Sequence, residues 1–392
     1  MTDNKNHRSP VIIFHHVQKT GGTTLRKAIS KLFKPENIFI IDRKYSLNIL
    51  QGLTEDEKTK IKFITGHCCY GVHKFIPQQS TYITMVRDPI ERVISHYYFV
   101  RSDPNISPKY YEKLRKMSLK EYVQDNIKGN NHQTRALSGK EGICTKETFE
   151  LAKENIKKYY SVIGLLEDYD KTILLLNKEF GWKNLFYVKD NETKERPLRS
   201  CISKDTLECI EENNKFDIEI YRFGKSLFDL KVSQQDASFD KDLKVFILLN
   251  GLNGIQHAPE KVEEIDEINA LYFKDAFDDA LAAIYFLLKS YPYNPANKKN
   301  RYEQSLFNYR LASLMKQAEL FVDSEQWFLK VLEESNYNQF IVGANFHLGE
   351  IFYKVKKYKK SYNHFTECLK HNPYHMKARS YYDAWDKGAF TF

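Results

Sequence analysis

Two short apolar runs punctuate the first hundred residues, and each stops at a cluster of polar ones. The first, Val11-Ile12-Ile13-Phe14, predicts a buried strand. It breaks at His15-His16-Val17-Gln18-Lys19-Thr20-Gly21-Gly22-Thr23-Thr24-Leu25, which predicts a tight glycine turn carrying one lysine and then a helix start. The second run, Thr81-Tyr82-Ile83-Thr84-Met85-Val86, ends at Arg87-Asp88-Pro89. Proline suits the first turn of a helix, and Ile90, Val93, Ile94 and Tyr97 continue at helical spacing. Arg87 is therefore expected at a strand end, with Ser95 two turns into the next helix.

Near Leu230 the chain changes character. Lys231 to Asp242 is polar and reads as a linker, and beyond it the helical period dominates. Leu311-Ala312 matches Leu348-Gly349, Phe328 matches Phe365 and Leu332 matches Leu369, always 37 positions on. Tetratricopeptide repeats have a period of about 34 residues with small, aromatic and proline residues at set places. Gly349, Phe352, Ser361, Phe365, Cys368 and Pro373 resemble that pattern, and Ala280, Ile284, Leu287 and Pro292 resemble half of an earlier copy. Helix pairs of this kind bury their apolar faces by stacking, so core packing is the expected role of the aromatic positions. The groove of such a stack could dock a partner protein, a peptide or a polymer.

The turn after the first strand has the chemistry of an anion site. Adjacent Gly21 and Gly22 let backbone approach an oxyanion, and amide groups at a helix start point toward it. Lys19 adds a full charge, and the hydroxyls of Thr20, Thr23 and Thr24 can donate. The magnesium-nucleotide pattern G-x-x-x-x-G-K-[ST] places its lysine after the glycines. Here Lys19 precedes them, which points to a ligand other than ATP with magnesium. In open α/β sheets the strand ends form the ligand crevice, so Arg87 and Ser95 could grip a second phosphate there. A surface ion pair of Arg87 with Asp88 or Glu91 is the plain alternative.

Together these segments resemble the sulfotransferases that use 3′-phosphoadenosine 5′-phosphosulfate, closest to the branch of heparan sulfate 2-O- and 6-O-sulfotransferases and their bacterial relatives. His16-Val17-Gln18-Lys19-Thr20-Gly21-Gly22-Thr23 resembles the family's 5′-phosphosulfate loop, and Arg87-Asp88-Pro89 through Arg92 and Ser95 its 3′-phosphate segment. Gly66-His67 after Lys62-Phe63-Ile64-Thr65, Asn131-His132-Gln133-Thr134-Arg135, Val162 to Glu167 with Asp170 to Trp182, and Asn214 with Asp217 and Tyr221 follow in family order. The resemblance covers roughly the first three-fifths of the chain.

The resemblance implies a reaction and roles. Sulfuryl transfer is a loose in-line displacement helped by positioning and charge stabilisation. Lys19, with the Gly21–Thr24 amides, would neutralise the leaving 5′-phosphate. Arg87 and Ser95 would hold the 3′-phosphate, and His67 would take the proton of the acceptor hydroxyl. Arg135 would contact the cofactor or an acidic acceptor, with a surface salt bridge as its plain alternative. A loop histidine bonded to a carbonyl is the plain reading of His67, and packing that of His15 and His16. His67, Cys69 and His73 match no common zinc framework, so no metal is expected. The implied acceptor is a glycan hydroxyl, with a peptide tyrosine or a lipid as alternatives.

Composition sets the frame. A chain of 392 residues, 42% hydrophobic and 14% aromatic, supports two folded domains. The expected organisation is a disordered 1–9, an α/β P-loop-like three-layer domain with a central parallel sheet over 10–230, a linker over 231–259 and an all-α repeat domain over 260–392. No run of 18 apolar residues and no signal-peptide pattern occur. Six scattered cysteines favour a reducing cytosol, and the lysine-, asparagine- and tyrosine-rich composition a bacterial origin. The net charge of +9 fits a phosphate- and sulfate-bearing cofactor and an anionic glycan. The lysines lie in mixed-charge runs, so no nucleic acid is expected as a partner. Two other classes compete: an unusual P-loop kinase, and a non-catalytic adaptor with a nucleotide-binding domain.

Overall fold

The computed structural model describes residues 10–41, 44–67, 70–102, 112, 116–125, 129–182, 185–187, 197, 199–254 and 298–386. Residues 1–9, Cys68, Cys69 and the early repeat copy at Ala280–Pro292 lie outside them. The chain divides into two compact units, Met1–Arg196 with Ser203–Asp236, and Pro197–Ile202 with Ala237–Phe392.

Among its described residues the first unit has five strands: β1 (Val11–His15), β2 (Ile38–Ile40), β3 (Phe63–Gly66), β4 (Ser80–Val86) and β5 (Tyr160–Leu165). Their order is β2-β3-β1-β4-β5 and every pairing is parallel. β1 is central, and all five of its residues are buried, as expected where helices cover both faces of a parallel sheet. Its Ile13 lies between Ile64 of β3 and Tyr82 of β4. Full burial of an isoleucine of this kind contributes about 1.5–3 kcal/mol.

Helices join these strands: α1 (Gly22–Ser30), α2 (Lys44–Gly52), α3 (Glu55–Lys60), α4 (Pro89–Ser102), α5 (Leu119–Asp125), α6 (His132–Ser138), α7 (Lys146–Tyr159), α8 (Tyr169–Phe180), α9 (Lys204–Asn213) and α10 (Lys215–Ser233). Successive strand residues face opposite sides of a sheet. At β5, Ile163 meets Gly224 of α10 while Gly164 meets Thr172 of α8, so these helices cover opposite faces. Parallel strands also end on one edge. His15 pairs with Gly66 and Thr84, and Val86 with Leu165. That register brings residues 16–21, His67, Arg87 and Glu167 to the same edge.

The second unit is helical: α11 (Phe239–Gly254), α12 (Lys298–Gln317), α13 (Phe321–Glu334), α14 (Asn338–Lys354), α15 (Tyr358–His371) and α16 (Met376–Asp386). From α12 onward each helix packs on the next. The 37-residue offset recurs in the structure. Buried Ser324 donates to Ala312 O at 2.7 Å, and Ser361 to Gly349 O at 2.7 Å. Glu319 and Lys356, at equivalent turns, both take left-handed backbone with φ 59° and 58°. Phe328 and Phe365 are fully buried.

Of the expected linker over 231–259, residues 231–254 are described, and most of them are helical. Residues 231–233 complete α10 and 239–254 form α11, leaving 234–238 between helices. Lysine is a good helix former, and Phe239, Val245, Phe246, Leu248 and Leu249 are buried. The polar stretch covers the ends of two helices and the short connection at 234–238 between them.

Candidate active site

The turn after β1 is held from several directions. Lys19 itself takes left-handed backbone, φ 66°, and Gly21 follows at φ 78° as the residue before α1. A lysine in that region carries strain of order 1–3 kcal/mol, which surrounding contacts must offset. The Thr20 hydroxyl donates to Val17 O at 2.8 Å and is fully buried, so it closes the turn and is not directed to a ligand. Gly21 supplies no side-chain cap to α1, which leaves the helix start open to an anion. Thr24 is buried and Thr23 half-buried on its first turn. The Lys19 ammonium lies 3.8 Å from the centre of the Phe99 ring.

Gly22 is required for packing. A Cβ there would stand 2.0 Å from His16 Cδ2. The His16 ring occupies that space and lies 4.2 Å, centre to centre, from the ring of His67. His67 Nδ1 is 2.8 Å from His16 O. A carbonyl oxygen only accepts, so Nδ1 carries the hydrogen and the Nε2 lone pair is left available. Gly66 before it has φ 149°, and a Cβ would meet Ile41 O at 2.0 Å. Burial, and then the neighbouring His67, holds His16 down to about 2 and His15 down to about 4. His15 Nδ1 bonds Tyr160 OH at 2.8 Å.

Arg87 bridges the two sequence segments. Its Nη1 donates to Lys19 O at 3.2 Å and its Nη2 to Glu91 Oε2 at 3.4 Å. The pairing with Glu91 is thus present, but the same guanidinium also ties down the β1 turn. The Arg87 backbone is clamped at both polar groups: its N–H donates to Gln133 Oε1 and its carbonyl accepts from Gln133 Nε2, both at 2.9 Å. Ser95 is buried on α4, one turn beyond Glu91 on the same stripe.

Gln133 is held in turn by a reciprocal cap. Asp217, fully buried on α10, accepts from Gln133 N at 3.1 Å, Thr134 N at 2.8 Å and Thr134 Oγ1 at 2.8 Å. Asn131 Oδ1 accepts from Phe216 N at 3.0 Å and Asp217 N at 3.1 Å. Each side chain caps the other's helix, α6 against α10. Arg92 Nε lies 3.8 Å from Asp217 Oδ2. Arg135 Nε and Nη2 are buried with no hydrogen-bond partner among the described residues.

The structure therefore brings Lys19, Arg87 and His67 to one sheet edge. It adds Phe99, Gln133, His96 and His132, which the sequence did not single out for roles of their own. Burial, with Arg92 and then Lys19 contributing, holds His96 down to about 3. Burial, followed by Arg92, Arg135, His96 and His67, keeps His132 well below the usual histidine range. Helical spacing along α4 was the available signal for Phe99 and His96, since positions 91, 95 and 99 share one stripe with 92 and 96 beside it. His73 bonds Tyr82 OH at 2.9 Å and its ring lies tilted against Tyr159, 4.5 Å between centres.

Residues 5–224, more than half of the chain, match the Sulfotransferase family. The chain belongs to the sulfotransferase family. Its relatives include heparan sulfate 2-O-sulfotransferase 1 of Gallus gallus, 23% identical over 272 residues that cover 61% of this chain and 75% of the relative. Heparan sulfate 2-O-sulfotransferase hst-2 of Caenorhabditis elegans is 25% identical over 256 residues, 56% of this chain and 79% of that one. Heparin sulfate O-sulfotransferase of Drosophila melanogaster is 23% identical over 270 residues, 60% and 77%. The matched part of this sulfotransferase contains the β1 turn, His67, Arg87 and the Asn131–Asp217 cap. Among its described residues no helix is long and apolar enough to cross a membrane.

Proposed function

We propose that the first unit transfers a sulfuryl group from 3′-phosphoadenosine 5′-phosphosulfate to a hydroxyl of a glycan. The observation that carries this reading is the 3.2 Å bond from Arg87 Nη1 to Lys19 O, because it joins two cationic segments at one sheet edge. The donor supplies the sulfuryl group and two phosphates. Lys19, with the amides of Gly21–Thr24, stabilises charge on the leaving 5′-phosphate, and removal of one such group costs about 10²–10³-fold in rate. Arg87, with Ser95, binds the 3′-phosphate. A guanidinium has five N–H groups in a fixed fork, which suits one arginine to bonding protein groups and an anion together. The two buried nitrogens of Arg135 that have no hydrogen-bond partner among the described residues suit an anion of the donor or of an acidic acceptor.

His67 is the base. Its Nδ1–H bond to His16 O fixes the ring with Nε2 free to accept the acceptor's proton, and the same bond stabilises the imidazolium that forms. The names of the heparan sulfate relatives support a glycan acceptor, as does the net charge of +9. The second unit is read as a tetratricopeptide-like stack that recruits the polymer or a partner protein, on the strength of its 37-residue structural period. The test is incubation of the full chain with labelled donor and excess chelator against heparan-type glycans, tyrosine peptides and lipids. Label in the glycan is the expected result. ATP-dependent phosphate transfer, or no transfer with any acceptor, would overturn the reading.

A further inference from the structure

The strain at Lys19 raises the question of what holds its side chain before any donor arrives. The Lys19 carbonyl is tied by Arg87 Nη1, and the turn around it is closed by Thr20 on Val17 O. Its ammonium lies over the Phe99 ring at 3.8 Å, well inside the range of about 6 Å at which a ring face attracts a cation. Phe99 sits on α4, on the stripe that carries Glu91 and Ser95. The same lysine is thus reached from both ends of α4, through Arg87 two residues before its start and through Phe99 in its last turn. The depressed proton affinity of His96, one step round the helix, has the Lys19 charge among its causes, in keeping with an ammonium turned toward α4.

We propose that Phe99 is a positioning residue for Lys19, and that its ring holds the ammonium at the phosphosulfate loop before the donor binds. The inference rests on the sulfuryl-transfer reading. An aromatic face suits the task because its quadrupole attracts a cation without neutralising it. The ammonium keeps its full charge for an incoming phosphate, whereas a carboxylate in the same place would have to be displaced. The contact is also weak enough to yield. Holding the chain in place beforehand removes the cost of ordering a long flexible side chain at the moment of binding.

The test combines Phe99→Leu, which removes the ring and keeps apolar bulk, with Phe99→Tyr, which keeps the ring. Calorimetry with 3′-phosphoadenosine 5′-phosphate is expected to show about fivefold weaker binding for Phe99→Leu and affinity within about twofold of wild type for Phe99→Tyr. In a Lys19→Ala background Phe99→Leu should cause no further loss. In protein labelled with carbon-13 at lysine Cε, the signal removed by Lys19→Arg should be ring-shifted upfield in wild type and Phe99→Tyr but not in Phe99→Leu. A full Phe99→Leu penalty in the Lys19→Ala background, or an unshifted Lys19 signal in wild type, overturns the inference while leaving the donor reading intact. Wild-type protein that fails to bind the nucleotide overturns the donor reading itself, and the inference with it.

Discussion

Arg87 donates from Nη1 to the carbonyl oxygen of Lys19 at 3.2 Å, across 68 positions of sequence. One guanidinium therefore fastens the end of β4 to the turn after β1. Its other arm rests on Glu91 and its backbone on Gln133.

Arg87→Lys keeps the charge and loses the planar fork. A single ammonium cannot reach Lys19 O, Glu91 and a phosphate at once. Charge-assisted bonds contribute about 1.5–3 kcal/mol each, so affinity for 3′-phosphoadenosine 5′-phosphate should fall about 10- to 100-fold by calorimetry. Binding within twofold of wild type would refute the shared role.

His67→Ala should leave nucleotide affinity within about threefold and lower turnover about 10²–10⁴-fold. Comparison of calorimetry with labelled-donor transfer separates the two. Undiminished turnover would remove His67 from the reaction.

Gly22→Ala forces a methyl group onto the His16 ring, 2.0 Å from Cδ2, and the displaced ring must press on His67. Overpacking of this sort costs about 1–3 kcal/mol. A lower melting temperature together with lost turnover is expected, and a neutral substitution would show that the ring moves freely.

Asp217→Ala removes the cap of α6 and leaves Arg92, which is buried, without its carboxylate. Breaking one side of a buried pair costs about 3–5 kcal/mol. Urea denaturation should report a loss of that order, with Asn131→Ala costing about 1 kcal/mol, as for a lost cap.

Acid should destabilise the first unit early. His15, His16 and His96 have folded-state values of about 4, 2 and 3, all below the ordinary 6.5. The unfolded chain then binds more protons below pH 6.5. Stability is fully present above that value and falls as the pH drops toward the folded values, by about 1.4 kcal/mol per pH unit for each histidine. Urea midpoints measured from pH 7.5 to 5 should decline steeply below about 6.5. A flat profile would mean that these rings are protonated in the native state.

Much of the fold was legible because buried parallel strands are nearly continuous apolar runs. Val11–Phe14 and Thr81–Val86 show this, and both were readable together with the glycine turn and Pro89. Edge strand β2 was not, since Ile38–Ile40 is only three residues long and partly exposed. The 37-residue period could be read from side chains and is matched by repeated hydrogen bonds. After Leu230 exposed helix surface and a short connection share one composition, so the helix bounds were not legible there.

Within the site, residue types announced the chemistry but not the partners. A lysine among glycines and threonines, an arginine after a strand and a histidine after Gly66 were visible as such. That Gln133 grips the Arg87 backbone, 46 positions away, and that Asn131 and Asp217 cap each other's helices depended on the meeting of distant segments. Local sequence specifies which groups are available and which backbone turns are allowed. Hydrogen bonds and ring contacts between distant segments exist only once the parallel sheet has brought every strand end to one edge.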